Sequence, residues 1–221
     1  MTATAGQPSV AREIKRFEMK KLLTIALTVL AAALAASAQS PAQILAKAAG
    51  KINSAPGIDC TFTARTGQGV VHGSLKASGK AFAVETNGAS TWYDGKTMWT
   101  ANHSTEETIV SLPTPQEIAE TNPLSYLSGY SSLYNVYLSK RKEAGKHLVL
   151  LNPKKRNTGI KAVEIAVNAK SMLPERLIIR QDNDQLITVN IGRLNLDGKI
   201  TAASLAYPES RYKGYETIDM R

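Results

Sequence analysis

Few side chains in this sequence are of the types that carry out covalent or metal chemistry. The chain has three histidines, His72, His103 and His147, and a single cysteine, Cys60, and their spacing matches no metal-binding pattern. It contains no Gly-x-Ser-x-Gly nucleophile motif, no His-Glu-x-x-His motif and no phosphate-binding loop. We therefore predict that the protein is not an enzyme and that it binds no metal and no cofactor.

Two short segments share part of their composition with ligand-binding loops. The glycine-rich stretch 67–73 has one residue too many for a dinucleotide-binding fingerprint. Asp182-Asn183-Asp184 lacks the glycine and the glutamate of a calcium-binding loop. Both segments are interpreted as turns beside strands. Cys60 lies in an apolar, strand-like run, which is typical of a small buried side chain.

A set of large apolar side chains is the more informative pattern. These residues alternate with polar ones along several predicted strands, so each strand has one apolar face. Such faces have two interpretations, the filled core of a closed barrel or the wall of an internal ligand cavity, and periodicity leaves both open. The residues that we assign to the wall of an apolar cavity are Phe62, Phe82, Val84, Trp92, Trp99, Val163, Ile165, Leu177 and Ile179.

The Asp94-Gly95 pair predicts a two-residue β-hairpin. In that register Tyr93 pairs with Lys96, and Trp92 lies on the same face as Trp99. Tyr93 and Met98 then lie on the opposite face. Because indole packs well against acyl chains, we predict that the two tryptophans line the cavity.

The N-terminal region has the layout of a secretory signal peptide. Lys20 and Lys21 precede an apolar run, and an alanine-rich stretch follows that ends at Ala36-Ser37-Ala38. The alternative, a membrane anchor, is disfavoured because this run is at the short limit for crossing a bilayer. We predict that residues 1–38 are a signal region cleaved after Ala38, with Met19 as the true start. Residues 39–221 would then form a single periplasmic domain, without a lipid anchor because no cysteine follows the apolar run.

The full chain has a formal net charge of +9, and removal of residues 1–38, which hold five basic and two acidic residues, would leave a net charge of +6. This modest excess fits attraction to acidic partners or anionic surfaces, although a solvated surface has the same signature. Nucleic acid is not expected as a partner, because the sequence lacks clustered basic and aromatic residues.

Two helical regions are predicted to cover the apolar face as a lid. Ser40, Pro41 and Gln43 form a capping box that begins the first helix, which ends before Pro56-Gly57. A second capping box at 114–117 begins a short helical insert that ends at Gly129. The lid residues that we assign are Ile44, Leu45, Ile118, Leu124 and Leu127.

The remaining sequence has the alternating period of β-strands. After Tyr134 a meander of strands is predicted, the last of them over residues 199–205, with turns such as Asp182-Asn183-Asp184 between them. The sequence therefore predicts a mainly β protein with a few helices (α+β), built as a barrel or a curled sheet.

The segment 93–99 is similar to the Asp-Gly-Lys-Thr-Leu-Trp hairpin of the outer membrane lipoprotein carrier protein LolA family. The order of the other segments also resembles that family. It comprises an N-terminal helix, a strand at 60–63, an aromatic strand at Phe82, an insert with Asn122-Pro123-Leu124, and Leu151-Asn152-Pro153-Lys154 before the meander.

This resemblance implies an unclosed antiparallel β half-barrel whose concave apolar face is closed by a helical lid. It implies a monomeric periplasmic carrier that receives acylated lipoproteins from an inner-membrane release complex and delivers them to an outer-membrane acceptor. The family's lid-latching Arg, in an Arg-Pro pair, aligns here with Ser78, and a bulky aromatic of the family aligns with Val84. A looser lid is therefore expected.

Two alternatives to a lipoprotein carrier stay open. One is a related half-barrel that binds or senses a lipid or glycolipid without transferring lipoproteins. The other is a closed β-barrel interaction module without a ligand.

Overall fold

The computed structural model describes residues 39–156 and 158–221 of the chain. The predicted signal region, residues 1–38, lies outside the described residues, so its cleavage after Ala38 stays a prediction. Residues Ser40–Arg221 form one compact unit.

Within the described residues, the strands form a 12-stranded sheet. The order is β12-β6-β5-β4-β3-β2-β1-β11-β10-β9-β8-β7, so β12 and β7 are the two edges and the sheet is not closed. The paired strands are antiparallel except that β12 runs parallel to β6. The strands are β1 Ile58–Thr66, β2 Gly69–Ser78, β3 Ala81–Thr86, β4 Ala89–Tyr93, β5 Met98–Asn102, β6 Glu107–Ser111, β7 Tyr134–Leu138, β8 Lys146–Pro153, β9 Ile160–Asn168, β10 Pro174–Gln181, β11 Leu186–Asn195 and β12 Glu216–Asp219.

Helix α1 spans Pro41–Asn53 and begins at the predicted capping box. The Ser40 hydroxyl accepts a hydrogen bond from the Gln43 amide at 3.2 Å, and the Gln43 side chain accepts one from the Ser40 amide at 3.0 Å. Its apolar stripe is buried and contacts β7, β8 and β9. Because the stripe faces the sheet, α1 is fixed by tertiary packing as much as by its caps.

The helical insert between β6 and β7 has three short parts. Helix α2 spans Pro115–Thr121, a 3-10 helix spans Pro123–Leu127, and α3 spans Tyr130–Leu133. The predicted second capping box is present, because Thr114 and Glu117 exchange backbone-to-side-chain hydrogen bonds. The prediction of a helical insert is thus confirmed.

The hairpin register differs from the predicted one. Trp92 pairs with Trp99 and Tyr93 with Met98, so the loop contains four residues instead of two. The Asp94 carboxylate accepts hydrogen bonds from the Lys96 amide at 2.8 Å and the Thr97 amide at 2.7 Å. These bonds stabilise the wider turn and explain the register.

The predicted strand over residues 199–205 is wrong. The segment instead contains a 3-10 helix, Ala202–Leu205, and a second one follows at Glu209–Tyr212. The Thr201 hydroxyl accepts a hydrogen bond from the Ser204 amide at 3.3 Å, which favours the helical turn over an extended strand.

The sheet buries apolar side chains on both of its faces. The main core lies on the face that α1 covers and contains Phe82, Val84 and Leu75. On the other face the C-terminal segment, residues 199–215, covers a second cluster. This aromatic cluster comprises Ala83, Trp92, Ala101, Leu205 and Tyr212, with Ala81, Trp99, Ile200, Tyr207 and Tyr215 packed against it.

Candidate functional site

A large cavity lies on the α1 side of the sheet, between the sheet and the helical insert. Its volume is about 1080 Å³, slightly more than the roughly 300–1,000 Å³ typical of ligand pockets. Phe82 and Tyr93 contribute aromatic rings from the sheet, with centroids 5.3 Å apart. Leu124 and Ile118 contribute aliphatic side chains from the insert.

Hydroxyls and lysines also line this cavity. The polar lining comes mainly from the insert and includes Ser125, Ser128 and Ser132. Lys80 in the turn between β2 and β3 also lines the cavity, as do Lys154 and Lys155 after β8. The three lysines are exposed, so the positive charges lie where the cavity opens to solvent. The wall thus combines an apolar interior with a basic mouth.

Tyr126 lies in the wall between the main cavity and a second cavity of about 110 Å³. The side chain is 1% exposed, and its hydroxyl has no hydrogen-bond partner among the described residues. Burial raises the pKa of Tyr126 well above its ordinary value, and the nearby Tyr134 and Glu120 add to this shift. The hydroxyl therefore stays protonated and keeps its capacity to donate a hydrogen bond.

The structure brings only part of the predicted set to the main cavity. Phe82 lines it directly, and so do Ile118 and Leu124 of the predicted lid. Phe62 and Ile179 line the second cavity. The other predicted wall and lid residues on this face are buried in the main core and do not line the main cavity: Val84, Val163, Ile165, Leu177, Ile44, Leu45 and Leu127.

The assignment of Trp92 and Trp99 to the cavity face is wrong. They share one face of the sheet, as expected, but this is the face that the C-terminal segment covers. The Trp99 ring stacks on Tyr207 with centroids 5.9 Å apart, and Trp92 packs edge-on against Tyr212 at 5.3 Å. Tyr93 lies on the face opposite the two tryptophans, as the hairpin pattern predicts, and it lines the cavity in their place.

The sequence-based assignment also missed Tyr126 and the three lysines. Tyr126 belongs to the run Asn122-Pro123-Leu124-Ser125-Tyr126-Leu127, in which each apolar side chain is buried. That run was recognised as helical, and its tyrosine could have been found as a buried polar side chain at the same spacing. The lysines carry no such periodic signal because they lie in turns.

The cysteine and two of the histidines of the described chain have local surroundings that the structure defines. Burial, together with the nearby Asp59, raises the pKa of the Cys60 thiol to about 11, which keeps it protonated and unreactive at neutral pH. His72 pairs with the Thr63 hydroxyl at 3.2 Å, and His103 pairs with the Ser90 hydroxyl at 3.0 Å. Among the residues that the structure describes, no three histidine, cysteine or carboxylate side chains are grouped to hold a metal ion. None of the described helices is long and apolar enough to cross a membrane.

The fold and the cavity define a class of protein, an open antiparallel sheet with an internal apolar site under short helices. The family model described as outer membrane lipoprotein carrier protein LolA matches residues 31–183, which is more than half of the chain. The chain therefore belongs to the LolA-like family, and the resemblance found in the sequence is confirmed. Membership indicates lipid or lipoprotein binding.

Several solved structures are similar to this one. An uncharacterised conserved protein from Thermus thermophilus superimposes with a TM-score of 0.57 at 14% identity, over 82% of this chain and 99% of that chain. A LolA superfamily protein from Nitrosomonas europaea matches with a TM-score of 0.41 at 13% identity, over 77% and 99% of the two chains. A domain described as an outer membrane lipoprotein-sorting protein, from Vibrio parahaemolyticus, matches with a TM-score of 0.45 at 10% identity, over 77% and 97%. No curated protein matches the sequence.

Proposed function

We propose that this protein is a periplasmic carrier that binds the acyl chains of lipoproteins in the main cavity and delivers them to the outer membrane. The observation that carries the proposal is the cavity of about 1080 Å³ with aromatic and aliphatic walls beneath a short helical insert. Family membership supports the same role. The carrier needs no cofactor and performs no covalent step, since binding and release are its whole task.

The energy of acyl-chain burial suits this task. Each buried methylene contributes about 0.8 kcal/mol, so about a dozen methylenes give roughly 10 kcal/mol. That free energy is enough to keep a lipid tail in the cavity while the protein crosses an aqueous compartment, but it also opposes release of the tail. Opening the cavity costs contacts between the insert and the sheet, and this cost lowers the net affinity. An insert of one-turn and two-turn helices is a cover that can open at moderate cost.

The expected partners follow from the same role. The cargo is an acylated lipoprotein, the donor is an inner-membrane release complex, and the recipient is an outer-membrane acceptor. Cleavage after Ala38 would place residues 39–221 in the periplasm as a soluble monomer, and mass spectrometry of the exported protein checks the cleavage site.

The proposal is tested by blocking the cavity. Spheroplasts that display acylated lipoproteins are incubated with the purified mature protein, and lipoprotein in the supernatant is quantified. Ser132 lines the cavity and is exposed, whereas the adjacent Ser131 is exposed but does not line it. We expect Ser132→Trp to lower release and Ser131→Trp, the matched control, to leave it unchanged.

Two results would contradict the carrier role. If wild type binds a fluorescent fatty acid but releases no lipoprotein, the protein is a lipid-binding or lipid-sensing half-barrel. If it neither binds the fatty acid nor releases lipoprotein, the cavity has no acyl ligand.

A further inference from the structure

The basic mouth of the cavity is assembled from distant parts of the sheet. Lys80 lies in the turn between β2 and β3, while Lys154 and Lys155 follow β8. In the sheet order, β1, β11, β10 and β9 lie between β2 and β8. All three lysines nevertheless line one cavity, which requires the sheet to curl until the two segments face each other across the opening.

These positive charges are not neutralised by neighbouring carboxylates. Aspartate and glutamate are absent from the described lining of the main cavity. Lys154 donates to the Ser131 carbonyl at 2.6 Å. Neither Lys80 nor Lys155 has a carboxylate within 4.0 Å among the residues that the structure describes.

Two lysines elsewhere on the sheet, in contrast, form ion pairs with carboxylates. Lys146 contacts Glu143 at 2.7 Å and Glu175 at 3.2 Å, and Lys161 contacts Asp184 at 3.0 Å. These two lysines away from the cavity are therefore paired with carboxylates, whereas Lys80 and Lys155 at the cavity are not. Lys80 and Lys155 lie next to the apolar wall of the cavity. Because the apolar wall has a low dielectric constant, it focuses their positive electrostatic potential on the cavity opening.

We propose that the cargo of this cavity carries a negative charge, a carboxylate or a phosphate, next to its acyl chains. The chains lie along the apolar wall, and the anionic end lies between Lys80 and Lys155. The inference rests on the proposed function, because it names the chemistry of the ligand that the same cavity takes. Apolar burial would supply most of the affinity, and the lysines would select the polar end and orient it toward solvent.

Selection by charge is tested with four single-chain amphiphiles of equal length, below their micelle concentrations. The four are an alkyl carboxylate, an alkyl phosphate, an alkyl alcohol and an alkyl trimethylammonium. Displacement of a fluorescent fatty acid from the mature protein gives the affinity of each. We expect both anions to bind more tightly than the alcohol and the cation to bind least, with the difference shrinking at high salt.

Reversing the charge of two lysines tests whether they cause the preference for anionic ligands. We expect Lys80→Glu/Lys155→Glu to weaken anion binding by about tenfold, the size of two moderate ion pairs, and to leave alcohol binding unchanged. The matched control is Lys76→Glu/Lys213→Glu. Lys76 alternates with the buried Leu75 on β2, so its side chain is on the opposite face, and Lys213 is exposed in the C-terminal segment. The control should leave the affinities for all four ligands unchanged.

The possible outcomes separate this inference from the proposed function. Equal binding of the acid and the alcohol, with no effect of the reversal, overturns the inference and leaves the carrier role intact. Absence of binding by any amphiphile contradicts the proposed function itself. If the reversal weakens attachment of the protein to anionic vesicles but not the binding of the soluble anions, the lysines contact a membrane surface and the inference is wrong.

Discussion

At the scale of single residues, Tyr126 combines a buried hydroxyl with a position in the cavity wall. Its hydroxyl is buried without a partner among the described residues, in the wall between the two cavities. A buried polar group without a partner costs about 1–3 kcal/mol, and a carbonyl or ester oxygen of an acyl ligand would remove that cost. An acyl ligand that brought an oxygen within reach of this hydroxyl would therefore gain a hydrogen bond.

We predict that Tyr126→Phe leaves the empty protein as stable as wild type or more stable, while it weakens binding of an acyl ligand. Urea unfolding measures the first effect and fatty-acid displacement the second. Tyr134→Phe is the comparison, since Tyr134 lines the same cavity but is only partly buried. Equal affinity of Tyr126→Phe and wild type would show that the hydroxyl does not contact the ligand.

A second prediction compares two aromatic residues on opposite faces. Phe82 and Trp92 are 2% and 3% exposed on neighbouring strands, so truncation of either to alanine should cost about 3–5 kcal/mol of stability. Only Phe82 lines the cavity. We expect Phe82→Ala to change acyl-ligand affinity and Trp92→Ala to leave the affinity of the folded protein unchanged. A loss of affinity in Trp92→Ala, measured at a temperature at which the protein stays folded, would contradict the observed facing.

The error over the tryptophans shows what a sequence pattern leaves open. Alternation on β4 predicts which residues share a face, and Trp92 does share a face with Trp99. It does not predict which face borders the cavity, because here both faces are covered. The inner face contacts the main core, and the outer face contacts Leu205 and Tyr212, which lie more than a hundred residues further along the chain. A contact so distant in sequence leaves no periodic signal.

At the scale of elements, the two parts of the predicted lid have different positions. Ile44 and Leu45 of α1 are 1% and 0% exposed in the main core, and α1 reaches the cavity only with Ile52 and Asn53 near its end. The insert lines the cavity with Ile118 and Leu124. The capping boxes predicted both helical regions correctly, but capping signals give the ends of a helix and not its tertiary partners. We therefore propose that, if the cavity is closed by a lid, the insert is the part that moves and α1 is not.

The insert is tested by Leu124→Ala, with Leu205→Ala as the matched control. Both leucines are buried, at 3% and 2% exposure, but only Leu124 lines the cavity. Each substitution should cost about 2–5 kcal/mol of stability. Leu124→Ala should also tighten cargo retention, because the empty closed state loses contacts that oppose opening, and slower dissociation of a fluorescent fatty acid would show this. Dissociation at an equal rate in both variants would contradict a lid role for the insert.

At the scale of the whole molecule, the sheet has an inner and an outer cover. The helices cover the inner face, and residues 199–215 cover the outer face of β3, β4 and β5. The open half-barrel was predictable from the resemblance of ordered segments, since local hairpins and turns set most strand pairings. The parallel pairing of β12 with β6 was not, because it joins residues 216–219 to 107–110 without a local turn. Both the outer cover and β12 also lie beyond residue 183, where the family match ends.

Removal of residues 199–221 would take away the whole outer cover together with β12. Leu205 and Tyr212 are 2% and 6% exposed against Trp92, so their removal uncovers a large aromatic surface. We expect lower stability, a red shift of tryptophan emission and binding of a hydrophobic dye, because such a surface is unfavourable in water.

The control removes only residues 216–221, that is, β12 and the two residues after it. All four side chains of β12 are exposed, so this deletion leaves the aromatic cluster covered and should cost much less stability. The residues that line the main cavity lie between positions 52 and 158, so both variants should retain fatty-acid binding while they remain folded.

Unchanged tryptophan emission in the longer deletion would show that the segment does not cover the outer face. Loss of ligand binding in the folded shorter deletion would show that the two faces of the sheet are coupled, because that variant keeps both the cavity wall and the aromatic cluster.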